Sequence, residues 1–292
     1  MADIIETIDL HMHSTVSDGT DTPEEILAKV CAIGLDVFSI TDHDAIKSAS
    51  MIPPLLHDGN PRFITGVEFS CKDIYGKYHI LGYGYDPEAE PIRAIVEKGH
   101  GFRMEKTRGR LEFLRDHFGF QFPDAEIKEL LHLDNPGKPH IANLMIKHGY
   151  AQSRKQAIEE FIDKKRFKNI YLQPEEAIHA IALSGGIPVL AHPSYGSGDE
   201  LIIGAEMDER LRRLTMEGLK GVEAYYSGFT PKLQQEMLGF AEKYDLYVTA
   251  GSDYHGKNKL IDLGDNNLDS VSEAPEGVRR FLRDVHYAPV LA

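Results

Sequence analysis

The chain has 292 residues, a length that suits one α/β barrel or a barrel with an inserted domain. Its formal net charge of −14 argues against a general nucleic-acid surface, which would be basic, so we expect no duplex partner; bound cations could still attract a small or single-stranded anionic substrate. The sequence contains no apolar stretch of about eighteen residues, so no membrane span is predicted. The start of the chain also lacks the pattern of a signal peptide. We therefore expect a cytoplasmic protein without a membrane partner.

Strand-like and helix-like segments alternate in the first third of the chain. The run IETIDLHMH predicts a strand, and a capping box at Thr22 and Glu25, with Pro23 at the first helical position, predicts a helix that Gly34 ends. Further strands are predicted at DVFSITDH, RFITGVEFS and YHILGYGY. Alternation of this kind predicts parallel strand pairing.

The pattern changes in residues 88–176, where polar segments with helical periodicity replace the alternation. RMEKTRGRLEFLRDHFG, KPHIANLMIKHGY and SRKQAIEEFIDKK predict amphipathic helices. Beyond them, IPVLAHP, GVEAYYS and LYVTAGSDYH predict strands that again alternate with helices. We therefore interpret residues 88–176 as an inserted helical subdomain, and residues 1–87 and 177–292 as the two parts of the barrel.

Nine side chains that can bind divalent metal ions occur in small groups, four of which follow strand-like runs. His11 and His13 are two residues apart, so the strand period directs both imidazoles to one face, where they can chelate one ion. Asp253 and His255 repeat this spacing. A single histidine is usually a surface or core residue, but buried His, Asp and Glu are unfavourable unless they are paired or metal-bound. We therefore predict that nine ligands converge at the barrel mouth: His11, His13, Asp18, His43, Glu68, His79, His192, Asp253 and His255.

Successive motifs between Asp9 and Gly256 resemble those of the PHP (polymerase and histidinol phosphatase) superfamily of metal-dependent phosphoesterases. The motifs are DLHMHSTVSDGTDTPEEI, SITDHDAI, GVEFS, YHILGYG, AHP and AGSDYHG. The insertion, with KPHIANLMIKHGY, looks more narrowly like the stand-alone PHP phosphoesterases encoded near tryptophan genes. The resemblance implies the PHP fold, a distorted (β/α)7 barrel. It also implies hydrolysis of phosphate from nucleotides such as 3′,5′-bisphosphates, and some members of this subgroup trim short RNA from the 5′ end.

The resemblance further implies a site for up to three divalent metal ions, and the mixture of imidazole and carboxylate ligands favours Mn, Fe or Zn. By motif position, the first ion would be held by His11, His13, Glu68 and Asp253, the second by Asp18, His43 and His255, and the third by Glu68, His79 and His192. A water shared between the ions would ionise near neutral pH and attack the phosphorus. Asp253 would take its proton, and His192 or His255 would protonate the leaving oxygen.

Substrate contacts are expected mainly from the insertion. Lys138 and His140 occupy the place where relatives usually show Arg-Pro-His, and they would clamp a second phosphate, unless the KPH segment only begins a helix. Arg166 and Lys168 belong to a basic run that is either a substrate contact or a solvated loop. Tyr225 and Tyr226, in the GVEAYY run, would stack on a base or pack in the core, and we expect at least one of them in the core.

Three alternative functions compete with a nucleotide phosphoesterase. A histidinol-phosphate phosphatase would use the same metals, but the KPH insertion weighs against it. An amidohydrolase acting on C–N bonds commonly holds a carboxylated lysine between its metals, whereas Glu68 fills the bridging position here, and Asp18 is an added acid. A regulatory module without catalysis would be expected to have lost some of the ligands.

Overall fold

The computed structural model describes residues 5–196 and 200–290. Its strands form two sheets, one of three strands and one of five. The first sheet is parallel and has the order β1 (Ile8–Asp9), β2 (Val37–Phe38) and β3 (Arg62–Phe63). The second has the order β4 (Gly66–Lys72), β5 (Lys77–Tyr83), β6 (Ile187–Leu190), β7 (Gly221–Tyr226) and β8 (Tyr247–Gly251).

The two sheets are joined at both ends, so the strands follow one another around a ring. At one end, only two residues separate β3 from β4, and an isolated parallel bridge pairs His43 with Glu68. At the other end, the backbone N–H of Leu10, just after β1, donates to the carbonyl of Ala250 in β8 at 2.9 Å. Because β3 and β4 act as one bent strand, the eight described strands occupy seven positions around the ring. This is the strand number that a distorted (β/α)7 barrel predicts.

Strand β5 is the exception to parallel pairing. It runs antiparallel to both β4 and β6, whereas β6, β7 and β8 are parallel to one another. The sequence-based prediction of parallel pairing is therefore wrong for β5. Only four residues connect β4 to β5, and a parallel pair needs a crossover of about a dozen residues or more, so this connection can form only a hairpin.

The first helix begins and ends at the signals present in the sequence. The first begins after Thr22, whose hydroxyl accepts from the N–H of Glu25 while the Glu25 carboxylate accepts from the N–H of Thr22 at 2.8 Å; it ends at Gly34, which has a φ of 76°. The helices are α1 (Pro23–Ile33), α2 (Ser48–Met51), α3 (Glu90–Phe118), α4 (Asp124–Leu131), α5 (Lys138–Lys147), α6 (Arg154–Gln156), α7 (Pro174–Leu183), α8 (Gly204–Met216), α9 (Pro231–Lys243) and α10 (Glu276–Asp284).

In the described part of the chain, buried apolar side chains form three clusters. The largest fills the barrel, and a smaller one lies under α1. The third contains Leu114, Ile141 and Ile162, so the region that we interpret as an inserted subdomain has apolar packing of its own. Helix α3 connects two of these clusters, because Ile92 and Ile95 near its start pack in the barrel cluster and Leu114 near its end packs in the third. The middle of α3 is therefore held between the barrel and the insertion.

Within the described residues, none of the helices combines the length and the apolar character needed to cross a membrane.

Candidate metal centre

The structure brings all nine predicted metal ligands together. They form four overlapping groups, and in each group one potential ligand atom per residue lies within 4.8 Å of the others. The groups are His13, Asp18, His43 and His255; His11, Glu68 and His192; His11, His13 and Asp253; and His43, Glu68 and His79. The side chains come from β4 and β5 and from the segments that follow β1, β2, β6 and β8. Their role as metal ligands stays a prediction.

Glu68 lies at the centre of the nine side chains. Its Oε1 lies 2.8 Å from Nδ1 of His79 and 3.2 Å from Nε2 of His192. Its Oε2 lies 3.1 Å from Nε2 of His13 and 3.0 Å from Nδ1 of His43. The Glu68 carboxylate is 1% exposed, so these imidazoles and not water surround it. A carboxylate with nitrogen donors on both oxygens has the position of a ligand that bridges two ions.

The donor atoms fit divalent metal ions better than they fit one another. The imidazole nitrogens of His13 and His43 approach Oε2 of Glu68, but this oxygen has no hydrogen-bond partner among the described residues. The same holds for Oδ1 of Asp18 and Nδ1 of His43. Buried polar atoms without partners are unfavourable by roughly 1–3 kcal/mol each, and carboxylates by more. Imidazole and carboxylate together are a donor set that suits Mn, Fe or Zn.

Two of the predicted ligands have backbone conformations that L-residues rarely adopt. His192, after β6, has a φ of 24°, and Asp253, after β8, has a φ of 58°. Such conformations typically require about 1–3 kcal/mol each and persist where the surrounding structure fixes them, most often at functional sites. The two strand ends therefore turn sharply to direct these side chains towards Glu68.

Glu223 in β7 supports the site and was not identified from the sequence. The Nδ1–H of His11 donates to Oε1 of Glu223 at 2.9 Å, and the backbone N–H of His192 donates to Oε2 at 2.7 Å. Glu223 is fully buried, and a Cβ at Gly251 would collide with both His11 and Glu223, so this glycine keeps the space for the pair. A carboxylate behind a ligand histidine fixes its tautomer and orientation. The one available signal was a charged residue inside the apolar run GVEAYY.

Two further buried carboxylates hold the ligand-bearing loops. Asp42 accepts from the N–H and the hydroxyl of Ser14 at 2.8 Å each and from the hydroxyl of Ser17 at 2.7 Å. Asp9 accepts from the N–H of Ser252 at 3.0 Å and from its hydroxyl at 2.6 Å. The segments that carry His13 and Asp253 are thus fixed by hydrogen bonds that do not use the ligand atoms.

Electrostatics favours the metal-binding protonation states of Glu68, Asp253 and His79 but not that of His11. Burial lowers the pKa of His11, but the nearby carboxylates, Glu223 first among them, outweigh burial and raise this pKa well above its usual value. Burial by itself would raise the pKa of Glu68, but the nearby His79 and His43 hold it well below the usual range. Burial would also raise the pKa of Asp253, and Lys259 and His255 outweigh it, so this pKa is lowered too. Burial lowers the pKa of His79 to about 4. The result is ionised carboxylates beside a neutral imidazole, which are the metal-binding forms.

A cavity of about 500 Å³ opens onto the nine side chains. Metal-ligand candidates, including His43, Glu68 and Asp253, form part of its wall. Basic side chains from the insertion form another part, namely Arg103, Lys106 and Arg110 of α3 and Lys138 of α5. The three α3 residues were not among the predicted substrate contacts, because cations spaced along a polar helix usually face solvent.

The five predicted substrate residues do not all reach this cavity. Lys138 lines it and forms an ion pair with Asp163 at 2.7 Å. His140 has its Nδ1 occupied, because it accepts from the N–H of Gly137 at 3.0 Å at the start of α5. Arg166 and Lys168 are exposed side chains outside the cavity wall.

Tyr225 and Tyr226 have different surroundings because of a bulge in β7. Tyr225 is 7% exposed and packs in the barrel cluster, whereas Tyr226 lines the cavity and donates from its hydroxyl to Oδ2 of Asp253 at 3.0 Å. The register between β7 and β8 shifts between Glu223 and Tyr225. A bulge of this kind reverses the alternation of faces, so Tyr226 shares the side of Glu223, which a regular strand would have given to Tyr225.

Comparison with known families and proteins gives a consistent assignment. Residues 9–173 match the family described as PHP domain. The match ends before β6, so it includes His11, His43 and Glu68 but not His192 or Asp253.

Three characterised relatives are similar over most of their length. Phosphoribosyl 1,2-cyclic phosphate 1,2-diphosphodiesterase of Eggerthella lenta is 26% identical over 263 residues, which cover 85% of this chain and 94% of the relative. The 5′-3′ exoribonuclease of Haemophilus influenzae is 27% identical and covers 90% and 94%. The 3′,5′-nucleoside bisphosphate phosphatase of Chromobacterium violaceum is 27% identical and covers 95% and 96%.

Two solved structures are similar to nearly the whole chain. A protein from Bifidobacterium adolescentis, provisionally assigned to the metal-dependent phosphoesterases, is 27% identical with a TM-score of 0.77, and the match covers 95% of this chain and 96% of that one. A protein from Chromobacterium violaceum described as an amidohydrolase, with bound sulfate and no metal, is 22% identical with a TM-score of 0.80 and a coverage of 96% and 95%. The second likeness shows the fold alone.

Proposed function

The chain belongs to the PHP domain family, and on this premise we propose that it is a metal-dependent phosphoesterase that hydrolyses phosphate monoesters of nucleotides. The proposed substrates are 3′,5′-bisphosphonucleotides and, as a second class, short 5′-phosphorylated RNA. The observation that carries the proposal is the convergence of all nine predicted ligands around Glu68 at the wall of one cavity. The named relatives support the substrate class, since a bisphosphate phosphatase and an exoribonuclease both cleave phosphoesters of nucleotides.

We propose that the nine side chains hold up to three ions of Mn, Fe or Zn, grouped as the family motifs imply, with Glu68 as the bridging ligand. When bound, such ions activate water near neutral pH and neutralise the charge of the phosphoryl oxygens. Glu223 supports them by holding His11 at Nδ1, so that Nε2 faces the centre, 3.4 Å from Oε2 of Glu68.

Proton transfer in the proposed reaction uses groups at the end of β8 and β6. The Asp253 carboxylate takes the proton of the attacking water, and the hydroxyl of Tyr226 donates to its Oδ2 and orients it. His192 or His255 returns a proton to the leaving oxygen. All these groups lie around the cavity that would receive the phosphoester.

For substrate binding we propose Lys138, which lines the cavity, with His140 beside it at the start of α5. Arg166 and Lys168 stay candidates for contacts outside the cavity wall. Tyr226 replaces Tyr225 as the aromatic contact, because it is Tyr226 that lines the cavity.

The substrate class can be tested by phosphate release from manganese-loaded protein. The panel contains adenosine 3′,5′-bisphosphate, nucleoside monophosphates, short 5′-phosphorylated RNA and histidinol phosphate. We expect the bisphosphate to have the highest kcat/KM. Faster turnover of histidinol phosphate would replace the proposal with the alternative phosphatase, and no phosphate release from any member would remove phosphoester hydrolysis itself.

A variant ties the measured activity to this centre. Asp253→Asn should lower kcat by at least on the order of a hundredfold with an unchanged circular dichroism spectrum, because it removes a ligand charge and the proposed base. Asp58→Asn, at an exposed loop position, is the matched control. Near wild-type turnover by Asp253→Asn in excess manganese would contradict the mechanism.

A further inference from the structure

Lys106 and Arg110 are two buried cations without an acidic partner. Both are 8% exposed and lie one helical turn apart on the face of α3 that lines the cavity. Among the described residues, neither takes part in a hydrogen bond or an ion pair, and Nε of Arg110 is one of the buried atoms without a partner. Buried lysine and arginine are almost always paired, so this arrangement calls for an explanation.

The acidic groups nearby are already used by other cations. Asp44 lies close enough to favour the charge of Lys106, but its carboxylate is paired with Arg103 at 2.7 Å. Asp163 acts on Arg110 in the same way, but it is paired with Lys138. Within the described residues, Asp44 and Asp163 thus pair with Arg103 and Lys138, and the charges of Lys106 and Arg110 have no ion-pair partner.

Aromatic rings hold the two side chains without occupying their donors. The Nζ of Lys106 lies 4.4 Å from the ring centre of Tyr171, and the guanidinium carbon of Arg110 lies 5.4 Å from that of Phe167. Ring faces attract cations but leave most of their N–H groups free to donate. Tyr171 also lines the cavity, so the free donors and the ring share one wall.

We infer that Lys106 and Arg110 form a subsite for a phosphate dianion, separate from the phosphate that is hydrolysed at the metal centre. A dianion supplies two negative charges that can pair with Lys106 and Arg110, and its oxygens can accept from the free N–H donors. The phosphate is either the second phosphate of the substrate or free inorganic phosphate. The first of these sources rests on the proposed function, whereas anion binding itself does not.

Kinetics of the manganese-loaded enzyme test whether the second phosphate of the substrate occupies the subsite. We expect Arg110→Gln and Lys106→Met to raise KM for adenosine 3′,5′-bisphosphate by about ten- to a hundredfold, with a much smaller change for adenosine monophosphate. Arg110→Lys should raise KM for the bisphosphate less than Arg110→Gln does, because lysine keeps the positive charge. Arg108→Gln, two positions away on the exposed side of α3, is the control and should resemble the wild type.

Calorimetric titration with inorganic phosphate tests the subsite without turnover. Chelator-treated, full-length protein should bind one phosphate, Arg108→Gln should do the same, and Lys106→Met should lose the binding. Phosphate binding with unchanged selectivity between the two nucleotides would assign the subsite to free phosphate. If the metal-free wild type binds no phosphate and both nucleotides are affected equally, the subsite is overturned, whatever the enzyme hydrolyses.

Thermal stability separates a binding role from a structural one. If the two cations have no counter-ion until an anion binds, Lys106→Met removes an uncompensated buried charge and should raise the Tm of the folded protein. If Lys106 instead stabilises the wall through Tyr171, the same variant should lower the Tm. A lowered Tm together with lost phosphate binding would therefore count against the subsite.

Discussion

The guanidinium of Arg103 donates two hydrogen bonds to Oδ2 of Asp44, from Nε at 3.1 Å and from Nη2 at 2.7 Å. Asp44 follows the predicted ligand His43 directly and has a φ of 49°, and its other oxygen accepts from the N–H of Ser70 at 2.9 Å. Arg103 lies in the middle of α3. This ion pair therefore connects the insertion to the segment that positions His43 and links both to β4.

The pair should be strongly coupled because little solvent reaches it. The side chains of Arg103 and Asp44 are 12% and 4% exposed. Removing one partner leaves the other charge buried, so Arg103→Met and Asp44→Asn should each lower the free energy of unfolding by about 3–5 kcal/mol, and the double variant should lose less than the sum. Urea unfolding of all three variants measures the coupling.

The exposed pair of Arg115 and Asp116 is the natural control, since its side chains are 62% and 56% exposed. Arg115→Met should change stability little because surface pairs are screened. Simple addition of the two single-variant losses at Arg103 and Asp44 would show that the two side chains act independently.

Glu223 should control metal affinity without contacting an ion. Its carboxylate accepts from His11 at Nδ1 and from the backbone N–H of His192, so Glu223→Gln alters the support of two predicted ligands. We expect the affinity for manganese to fall by about ten- to a hundredfold. Metal content after dialysis against graded manganese measures this, with Glu242→Gln on the exposed side of α9 as control. Unchanged affinity would leave Glu223 as a packing residue.

Tyr226 and its neighbour Tyr225 form a matched pair of variants. The Tyr226 hydroxyl donates to Asp253, whereas the Tyr225 side chain packs in the barrel cluster. A hydrogen bond to a charged group contributes about 1.5–3 kcal/mol, so Tyr226→Phe should lower kcat/KM by about tenfold or more, while Tyr225→Phe should stay close to wild type. A larger loss for Tyr225→Phe than for Tyr226→Phe would contradict this difference between the two hydroxyls.

The sequence was sufficient to predict that these nine side chains converge, because the information that places them is local. A strand of period two that ends in His-x-His directs both rings to one face, and the family motifs supply the partners. Glu223 and Tyr226 depend instead on the bulge in β7, which no local pattern in GVEAYY indicates. Only the structure shows which tyrosine faces Asp253.

The basic wall on α3 could not be predicted for a different reason. Arg103, Lys106 and Arg110 have the spacing of one helix face, but the sequence around them is polar on all sides. Their burial results from packing between the barrel and the insertion, with Tyr171 and Phe167 closing over them. Whether a charged helix face is solvated or buried is decided by tertiary contacts that are distant in the chain.

Lys106 should also make the stability of the protein depend on pH. Burial, reinforced by Arg103, lowers the pKa of Lys106 from 10.5 to about 7. The charged groups that face it are Asp44, which favours its protonated form, and Arg103, Arg110 and Lys138, which oppose it. Tyr171 is the aromatic group against it. Neither arginine titrates in the neutral to mildly alkaline range, so Lys106 is the group that changes charge first.

The direction in which stability changes with pH follows from the lowered pKa of Lys106. Below pH 7, Lys106 is charged in both the folded and the unfolded chain, and the folded state carries the full penalty of the buried charge. Between pH 7 and 10.5 the unfolded chain binds the proton more tightly, so stability from this group rises with pH, by at most about 1.4 kcal/mol per pH unit. Lys106→Met lacks the penalty at every pH. Its advantage over the wild type should therefore be largest near pH 7 and shrink towards pH 9, as measured by urea unfolding at each pH.

Comparison with a second lysine isolates the effect. Lys98→Met, on the same helix, removes a lysine that is 45% exposed and paired with Glu176 at 2.6 Å. The difference in the free energy of unfolding between this variant and the wild type should therefore change little from pH 7 to pH 9. Both comparisons share all other titrating groups, which cancel in the difference. A constant difference in the free energy of unfolding between Lys106→Met and the wild type from pH 7 to pH 9 would mean that Lys106 keeps its proton throughout this range. A nearby carboxylate would then compensate its charge without an added anion.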